Sequence, residues 1–284
     1  MHMPFVAGIV LFNPDNERIH RSIDAISTQV DLLILVDNGS DNSEFVRGLA
    51  KNGKIVLIEN DKNYGIAKAL NQMCARALYL GYSWILTLDQ DSVCPPNLLN
   101  EFSKYIENQQ LGIICPRFEI DVASIKVINK ADTPNKFVDF CITSASLTNL
   151  FVWQKVGGFN EWLFIDCVDY DYCMKVRIAG YKIFMVNNLI INHCVGTPTI
   201  HKLPFGRKIV LYNHSNFRNY YIVRNNIYFA RKYRKEINFS LWIMKFTYFE
   251  LIKIIFEKDR KGTLISAKKG FMDGVHADLW NEKL

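Results

Sequence analysis

Four short apolar runs stand out in the first third of the chain: "FVAGIVLF" (5–12), "DLLILVDN" (31–38), "KIVLIEN" (54–60) and "SWILTLD" (83–89). Between them, residues 15–29, 42–51 and 64–81 place their apolar side chains at helical spacing. Apolar runs of strand length that do not alternate with polar residues suit strands covered on both faces. Strand and helix in alternation therefore predict an α/β fold built on a mostly parallel sheet flanked by helices.

Beyond residue 110 the pattern is less regular. "LGIICPRF" (111–118) and "FVDFCITSASLTNL" (137–150) read as strands, Gly157-Gly158 as a turn, and residues 168–179 as a helix ended by Gly180. "YKIFMVNN" and "LIINHCVG" return to the strand pattern, and from about residue 215 the chain is helical. The expected organisation is a sheet domain over residues 1–212 followed by a helical region over 213–284.

In open α/β sheets ligands bind beyond the carboxyl ends of the strands, so the polar residues after each run are the first candidates for chemistry. They are Asn13, the stretch Asp37-Asn38-Gly39-Ser40-Asp41, Asn60-Asp61 and Asp89-Gln90-Asp91. Two accounts fit "DQD". Asp91 or Ser92 caps a helix beginning at Pro95-Pro96, or the hard carboxylate oxygens hold Mg²⁺ or Mn²⁺ against a diphosphate. "VDNGSDN" supports a turn as well as a carboxylate that accepts hydrogen bonds from a base or ribose.

In "NYGIAKALNQ" Asn63 precedes Gly65, which opens a helix whose amides suit phosphate, with Lys68 one turn on. "IDCVDYDYCMKVR" gathers Asp166, Asp169 and Asp171; a helix reaching back to Asp166 puts Asp166, Asp169 and Cys173 on one face. Asp169 and Asp171 then either complement the helix dipole or supply a general base. His193, after the last strand-like run, is either structural or a metal or diphosphate contact.

Charge is divided unevenly. Residues 1–200 hold 17 Lys or Arg against 21 Asp or Glu, whereas residues 201–284 hold 17 against 7. The basic end implies an anionic partner. Residues 218–235 interleave aromatics with Arg and Lys, and residues 239–256 are nearly all apolar but interrupted by Lys245, Glu250 and Lys253. Such a run reads as an interfacial helix rather than a span, or as a cap on the sheet domain.

Nucleic acid is the competing partner for that mixture, but the acidic strand ends repel phosphate and no nucleic-acid motif occurs. Seven cysteines without a C-x-x-C pair imply a reducing compartment, and the N-terminus lacks the basic leader of a signal peptide. A cytoplasmic protein at the inner face of the membrane is expected. No G-x-G-x-x-G or P-loop pattern is present, which argues against dinucleotide dehydrogenases and P-loop nucleotidases.

Taken in order, "VDNGSDN", "LDQDS" and "VDYDYCMKVRIAGYKI" resemble the nucleotide-binding, D-x-D and E-D-x-D-x-x-x-R-x-x-x-x-G-Y segments of glycosyltransferase family 2, of the GT-A fold, from residue 5 to about 235. "TLDQDS", "NYGIAKALNQ" and "YYIVRNN" are most similar to its bacterial rhamnosyltransferases. The resemblance implies an inverting, metal-dependent transfer of L-rhamnose from dTDP-rhamnose to a polyprenyl-diphosphate-linked glycan, in the synthesis of a surface polysaccharide such as O-antigen or capsule.

By the same resemblance the donor is met by Asn13, Asp37, Asn38, Asn63, Gly65, Lys68, Asp89 and Gln90. Asp89, Asp91 and His193 take the metal, and Asp169 is the base. Asp171, Lys175, Arg177 and Arg224 serve the acceptor or support the site. Val168 replaces the usual Glu and Lys175 the usual Arg, so Asp171 competes with Asp169, and Arg177 with Lys175. Transfer of galactofuranose or a hexose from a UDP donor, and a non-catalytic glycan-binding scaffold at the membrane, are the rival functions.

Overall fold

The computed structural model describes residues 4–51, 53–120, 134–193, 199–202 and 208–279. The chain forms two compact units. One comprises Met1–Glu119, Val127–Phe164 and Val168–His193, the other Ile120–Lys126, Ile165–Cys167 and Cys194–Leu284.

The first unit begins as the hydropathy pattern requires. Strands β1 (Val6–Leu11), β2 (Leu32–Asp37), β3 (Ile55–Glu59) and β4 (Trp84–Asp89) alternate with helices α1 (Asn16–Ser27), α2 (Ser43–Leu49) and α3 (Ile66–Tyr79). β1 lies between β2 and β4, parallel to both, and β3 runs parallel to β2. Nearly every side chain of β1, β2 and β4 is buried, which explains why these strands read as unbroken apolar runs. The helices bury their apolar stripes on the sheet: α1 buries Ile19, Ile23 and Ile26 and is capped by Asp15, whose carboxylate accepts from the Arg18 amide at 3.0 Å.

After β4 come α4 (Leu98–Ser103), β5 (Leu111–Ile120), β6 (Lys136–Val138), β7 (Ser146–Asn149), α5 (Leu150–Lys155), a 3₁₀ turn (Glu161–Leu163), α6 (Val168–Ile178) and β8 (Lys182–His193). The full sheet has the order β3-β2-β1-β4-β7-β5-β8-β6. β7 is antiparallel to β4 and β5, and β6 to β8, so the far half departs from the parallel arrangement of the first.

Several sequence expectations are refined here. The run 137–150 is two short strands separated by a loop, because Cys141–Ala145 turns back to meet β4. "YKIFMVNN" and "LIINHCVG" join into one strand, β8, up to His193. The helix after "DQD" starts at Leu98 with Asn97 at its N-cap position, so neither Asp91 nor Ser92 caps it.

The second unit contains a hairpin of β9 (Thr199–Lys202) and β10 (Lys208–Leu211) and three helices, α7 (Asn216–Lys232), α8 (Phe239–Phe256) and α9 (Arg260–His276). Ser215 caps α7 by accepting from the Arg218 amide at 3.2 Å. Asn225 of α7 donates to the carbonyls of Ile165 and Asp166 at 2.6 and 2.9 Å.

Candidate active site

Strand order creates the crevice. From β1 the chain proceeds outward through β2 and β3, then returns to place β4 on the other side of β1. At such a reversal the loops after neighbouring strands diverge and leave a cleft at their carboxyl ends. Register puts Asp37 beside Leu11 and Asp89 beside Val10, so the two carboxylates flank the end of β1.

Asp37 is 2 % exposed, and one of its oxygens accepts the Ser40 amide at 3.0 Å. Asn38 is equally buried. Its Nδ2 donates to Asn63 Oδ1 at 3.0 Å and to the Gly65 carbonyl at 3.1 Å, while its Oδ1 accepts from Asn60 Nδ2 and the Tyr64 amide at 3.1 Å each. Asn38 and Asn63 thus stitch the β2 loop to the loop before α3. The stitch is tight: Gly39 has φ 79°, and a Cβ there would lie 2.4 Å from the Lys62 carbonyl carbon, so only glycine fits.

On the β1 side, Asn13 is exposed and has φ 47°. Its amide donates to Ser40 Oγ at 2.9 Å, and its side chain exchanges hydrogen bonds with Asp41 at 3.2 and 2.7 Å. The Gln90 side-chain oxygen accepts from the Phe12 amide at 2.9 Å. Gln90 therefore ties β4 to β1.

Gly65 and Lys68 take positions other than an open phosphate cradle. Gly65 has φ 86°, and a Cβ there would lie 2.6 Å from the Phe164 carbonyl oxygen, which itself accepts from the Ile66 amide at 2.6 Å. Lys68 Nζ pairs with Glu161 Oε2 at 3.0 Å. Glu161 also accepts from Asn71 at 2.9 Å, and Asn71 accepts the Trp153 indole at 3.1 Å. Glu161, Asn71 and Trp153, none of them singled out from the sequence, surround a cavity with Lys68. "GGFNEW" is the only sequence signal of it, through the Gly157-Gly158 turn and Asn160 capping the 3₁₀ turn.

The third carboxylate group lies at the start of α6. The helix begins at Val168, so Asp166 is not on it: Asp166 has φ 62°, and its carboxylate meets Arg218 within the second unit at 3.0 Å. Phe164, Asp166 and Cys167 all have left-handed φ, an uncommon and strained run immediately before the helix. Such strain gathers at functional sites.

Asp169 is partly exposed and borders a small cavity with Cys141, Thr143, Ser146, Tyr172 and Cys173. Asp171 is fully buried, with Lys175 Nζ at 3.9 Å. Lys175 also donates to the Gly158 carbonyl at 3.1 Å, whereas Arg177 pairs with Asp139 at 2.8 Å. Burial pushes the Tyr172 and Cys173 protons up, so both groups stay neutral beside Asp169.

One stretch links Asp169 to the cleft. Thr87, two residues before Asp89, donates to the Thr143 carbonyl at 2.6 Å. Ser144 Oγ receives the Asp89 amide at 3.3 Å and shares a 2.5 Å hydrogen bond with Ser92. Thr143 and Ser146 in turn border the Asp169 cavity. Asp37 and Asp89 therefore flank the end of β1 with Asp91 two residues on, and the loop that borders the Asp169 cavity is hydrogen-bonded to β4. Arg224 belongs to the second unit, 8 % exposed, donating to Asn225 Oδ1 at 2.8 Å and stacked over the Tyr221 ring at 4.6 Å.

The donor set suits a hard divalent cation that keeps open positions. Among the described residues no group of three or more His, Cys, Asp or Glu side chains is placed to hold a metal ion, so Asp89 and Asp91 would need ligand oxygens from elsewhere. Two adjacent strand-end carboxylates with phosphate oxygens completing the sphere are the usual provision for Mg²⁺ or Mn²⁺. β8 ends at His193, whose side chain lies outside those described.

The chain is 28% identical over 264 residues to the dTDP-rhamnosyl transferase RfbF of Shigella flexneri, a match spanning 85% of this chain and 87% of that one. It is 24% identical over 198 residues to an uncharacterized glycosyltransferase of Haemophilus influenzae, across 65% of this chain and 73% of that one.

Among solved structures, the mannosyltransferase PcManGT from Pyrobaculum calidifontis, in complex with GDP-Man and Mn²⁺, superposes with a TM-score of 0.60 at 15% identity, covering 98% of this chain and 76% of its own. S. aureus TarS 1-349 in complex with UDP has a TM-score of 0.55 at 14% identity, covering 68% and 61%. These likenesses place the sheet unit in the GT-A fold. The model of glycosyl transferase family 2 matches residues 7–174, from β1 into α6 and across every strand-end carboxylate described above, and the chain is a glycosyltransferase belonging to that family.

Proposed function

We propose that the chain transfers L-rhamnose from dTDP-rhamnose, with inversion, to a hydroxyl of a polyprenyl-diphosphate-linked glycan at the inner face of the cell membrane, in building a bacterial surface polysaccharide such as O-antigen or capsule. The observation that carries the donor assignment is the likeness to a dTDP-rhamnosyl transferase. It spans 264 residues and so continues past the family domain into the helical region. Described cysteines that are all free thiols suit a reducing compartment.

In this reading Asp37, buried at the end of β2, accepts hydrogen bonds from the nucleoside. Asp89 and Asp91 hold Mg²⁺ or Mn²⁺; when bound, the cation offsets the charge that gathers on the departing diphosphate. Asp169 accepts the proton of the attacking hydroxyl, because it is the partly exposed carboxylate of its helix turn whereas Asp171 is fully buried. Asn38, Asn63 and Gly65 position the nucleoside loops by holding them together. Lys68, paired with Glu161, orients the edge of the site.

Turnover across a donor panel tests the proposal. With a purified lipid-linked acceptor, dTDP-rhamnose is expected to exceed UDP-galactofuranose and UDP-hexoses by at least about tenfold in kcat/KM. Preference for a UDP-sugar overturns the donor assignment. No turnover of any donor, together with retained glycan binding, would instead make the chain a scaffold.

A further inference from the structure

Within the helical unit, α8 and α9 each leave a long apolar face exposed. Leu241, Met244, Tyr248, Leu251 and Ile255 recur along α8 at spacings of three and four, the repeat of one helix face. All five are exposed, Met244 at 61% and Tyr248, Leu251 and Ile255 at 56% each. The residues α8 buries are Ile252 together with Glu250 and Lys253, the last two at 7% and 4% exposure, and Lys253 Nζ donates to Asn219 of α7. Burial pushes the Glu250 carboxyl up and the Lys253 ammonium down.

α9 likewise turns large apolar side chains outward. Its buried residues are Thr263, Gly270 and Gly274, whereas Leu264, Ile265, Phe271, Met272 and Val275 face outward. A Cβ on Gly270 would lie 2.5 Å from the Tyr220 carbonyl oxygen, and one on Gly274 2.6 Å from that of Arg224. α9 therefore rests a strip of small residues against the α7 backbone. Half of the large apolar side chains exposed among the described residues lie on these two helices.

In water a helix turns its apolar stripe inward. Small and polar residues at the contacts between helices, with large apolar ones outside, suit helices whose surroundings are hydrocarbon. Among the described residues no helix is long and apolar enough to cross a membrane, so the helices do not span it. The surroundings are charged in a way that selects the occupant: residues 231–276 carry eleven Lys or Arg against five Asp or Glu, and Lys245, Lys258, Arg260, Lys261, Lys268 and Lys269 are exposed. A second copy brings like charge to like, whereas an anionic lipid surface is complementary.

We propose that α8 and α9 lie in the plane of an anionic bilayer, with Met244, Tyr248, Leu251 and Ile255 of α8 and Phe271 and Val275 of α9 entering the acyl region and the lysines and arginines meeting the headgroups. The inference rests on the transferase reading only for why the enzyme needs a bilayer; the seating itself is argued from the helices.

The test is flotation of the full chain on a density gradient with phosphatidylcholine vesicles containing or lacking phosphatidylglycerol. The wild type is expected to float with the anionic vesicles and to remain partly bound in high salt, since acyl contacts outlast screening. The triple variant Met244→Gln, Leu251→Gln, Ile255→Gln is expected to lose on the order of a hundredfold in partitioning, with nucleotide binding by titration calorimetry unchanged. Wild type that stays at the bottom of the gradient overturns the proposal, as does a triple variant that floats like wild type. A wild-type dimer that the triple variant dissociates, with no flotation, assigns the face to a second copy instead. Failure of nucleotide binding with flotation intact counts against the donor reading and leaves the bilayer seat standing.

Discussion

At the scale of residues, two carboxylates on one turn of α6 live in different surroundings. Asp169 borders a cavity, whereas Asp171 is wholly buried above Lys175. Asp169→Asn is therefore expected to lower kcat by about 10² to 10⁴-fold while donor affinity holds. Asp171→Asn is expected to act on stability, because it removes a fully buried charge 3.9 Å from the Lys175 ammonium. Steady-state kinetics and denaturant titration of both variants check this; unchanged turnover in Asp169→Asn contradicts the assignment. The sequence brings both aspartates to notice and cannot choose between them, since burial is decided by what packs on the helix from β5 and the 141–146 loop. Gln90 is a similar case. Flanked by two aspartates it reads as part of the site, and the structure adds that its side-chain oxygen accepts from the Phe12 backbone amide.

At the scale of elements, the strands β1 to β4 are legible in the sequence because burial on both faces leaves an unbroken apolar run. The 3₁₀ turn at Glu161–Leu163 and α5 are not, being short elements fixed by the caps Asn160 and Asn149 and by tertiary contacts rather than by periodicity. The apolar run 239–256 is legible as a helix, but the burial of Glu250 and Lys253 within it is not, because a run that is apolar all round does not say which side faces α7. Packing of α9 on α7 yields a paired prediction. Gly274→Ala pushes a methyl to 2.6 Å from a backbone oxygen and is expected to destabilise by about 1–3 kcal/mol. Gly48→Ala, with nothing near it on the exposed side of α2, is expected to stabilise by about 0.4–1 kcal/mol. Urea midpoints read both, and the same sign in the two variants refutes the packing argument.

At the scale of the whole molecule, chemistry and charge are divided between an acidic sheet unit and a basic helical unit, and the second carries the clearest pH response. Burial, with Arg218 and Lys253 nearby and Asp166 opposing them, pushes the His214 imidazole down to about 4. Between that value and the ordinary histidine value of about 6.5 the unfolded chain binds a proton that the folded one does not, so stability is full above the window and falls as pH drops through it. Urea midpoints at about pH 7.5 and 5 should differ in that direction, and less so in His214→Gln.

The central claim concerns the other unit: that the "DQD" at the end of β4 holds a cation against a nucleoside diphosphate. Titration calorimetry of the full chain with dTDP and with UDP, each with Mn²⁺, Mg²⁺ or EDTA, tests it directly. The account predicts binding that requires the cation, favours dTDP and is lost in Asp91→Ala. Binding that is indifferent to EDTA and to Asp91→Ala, or none to either nucleotide, would contradict it.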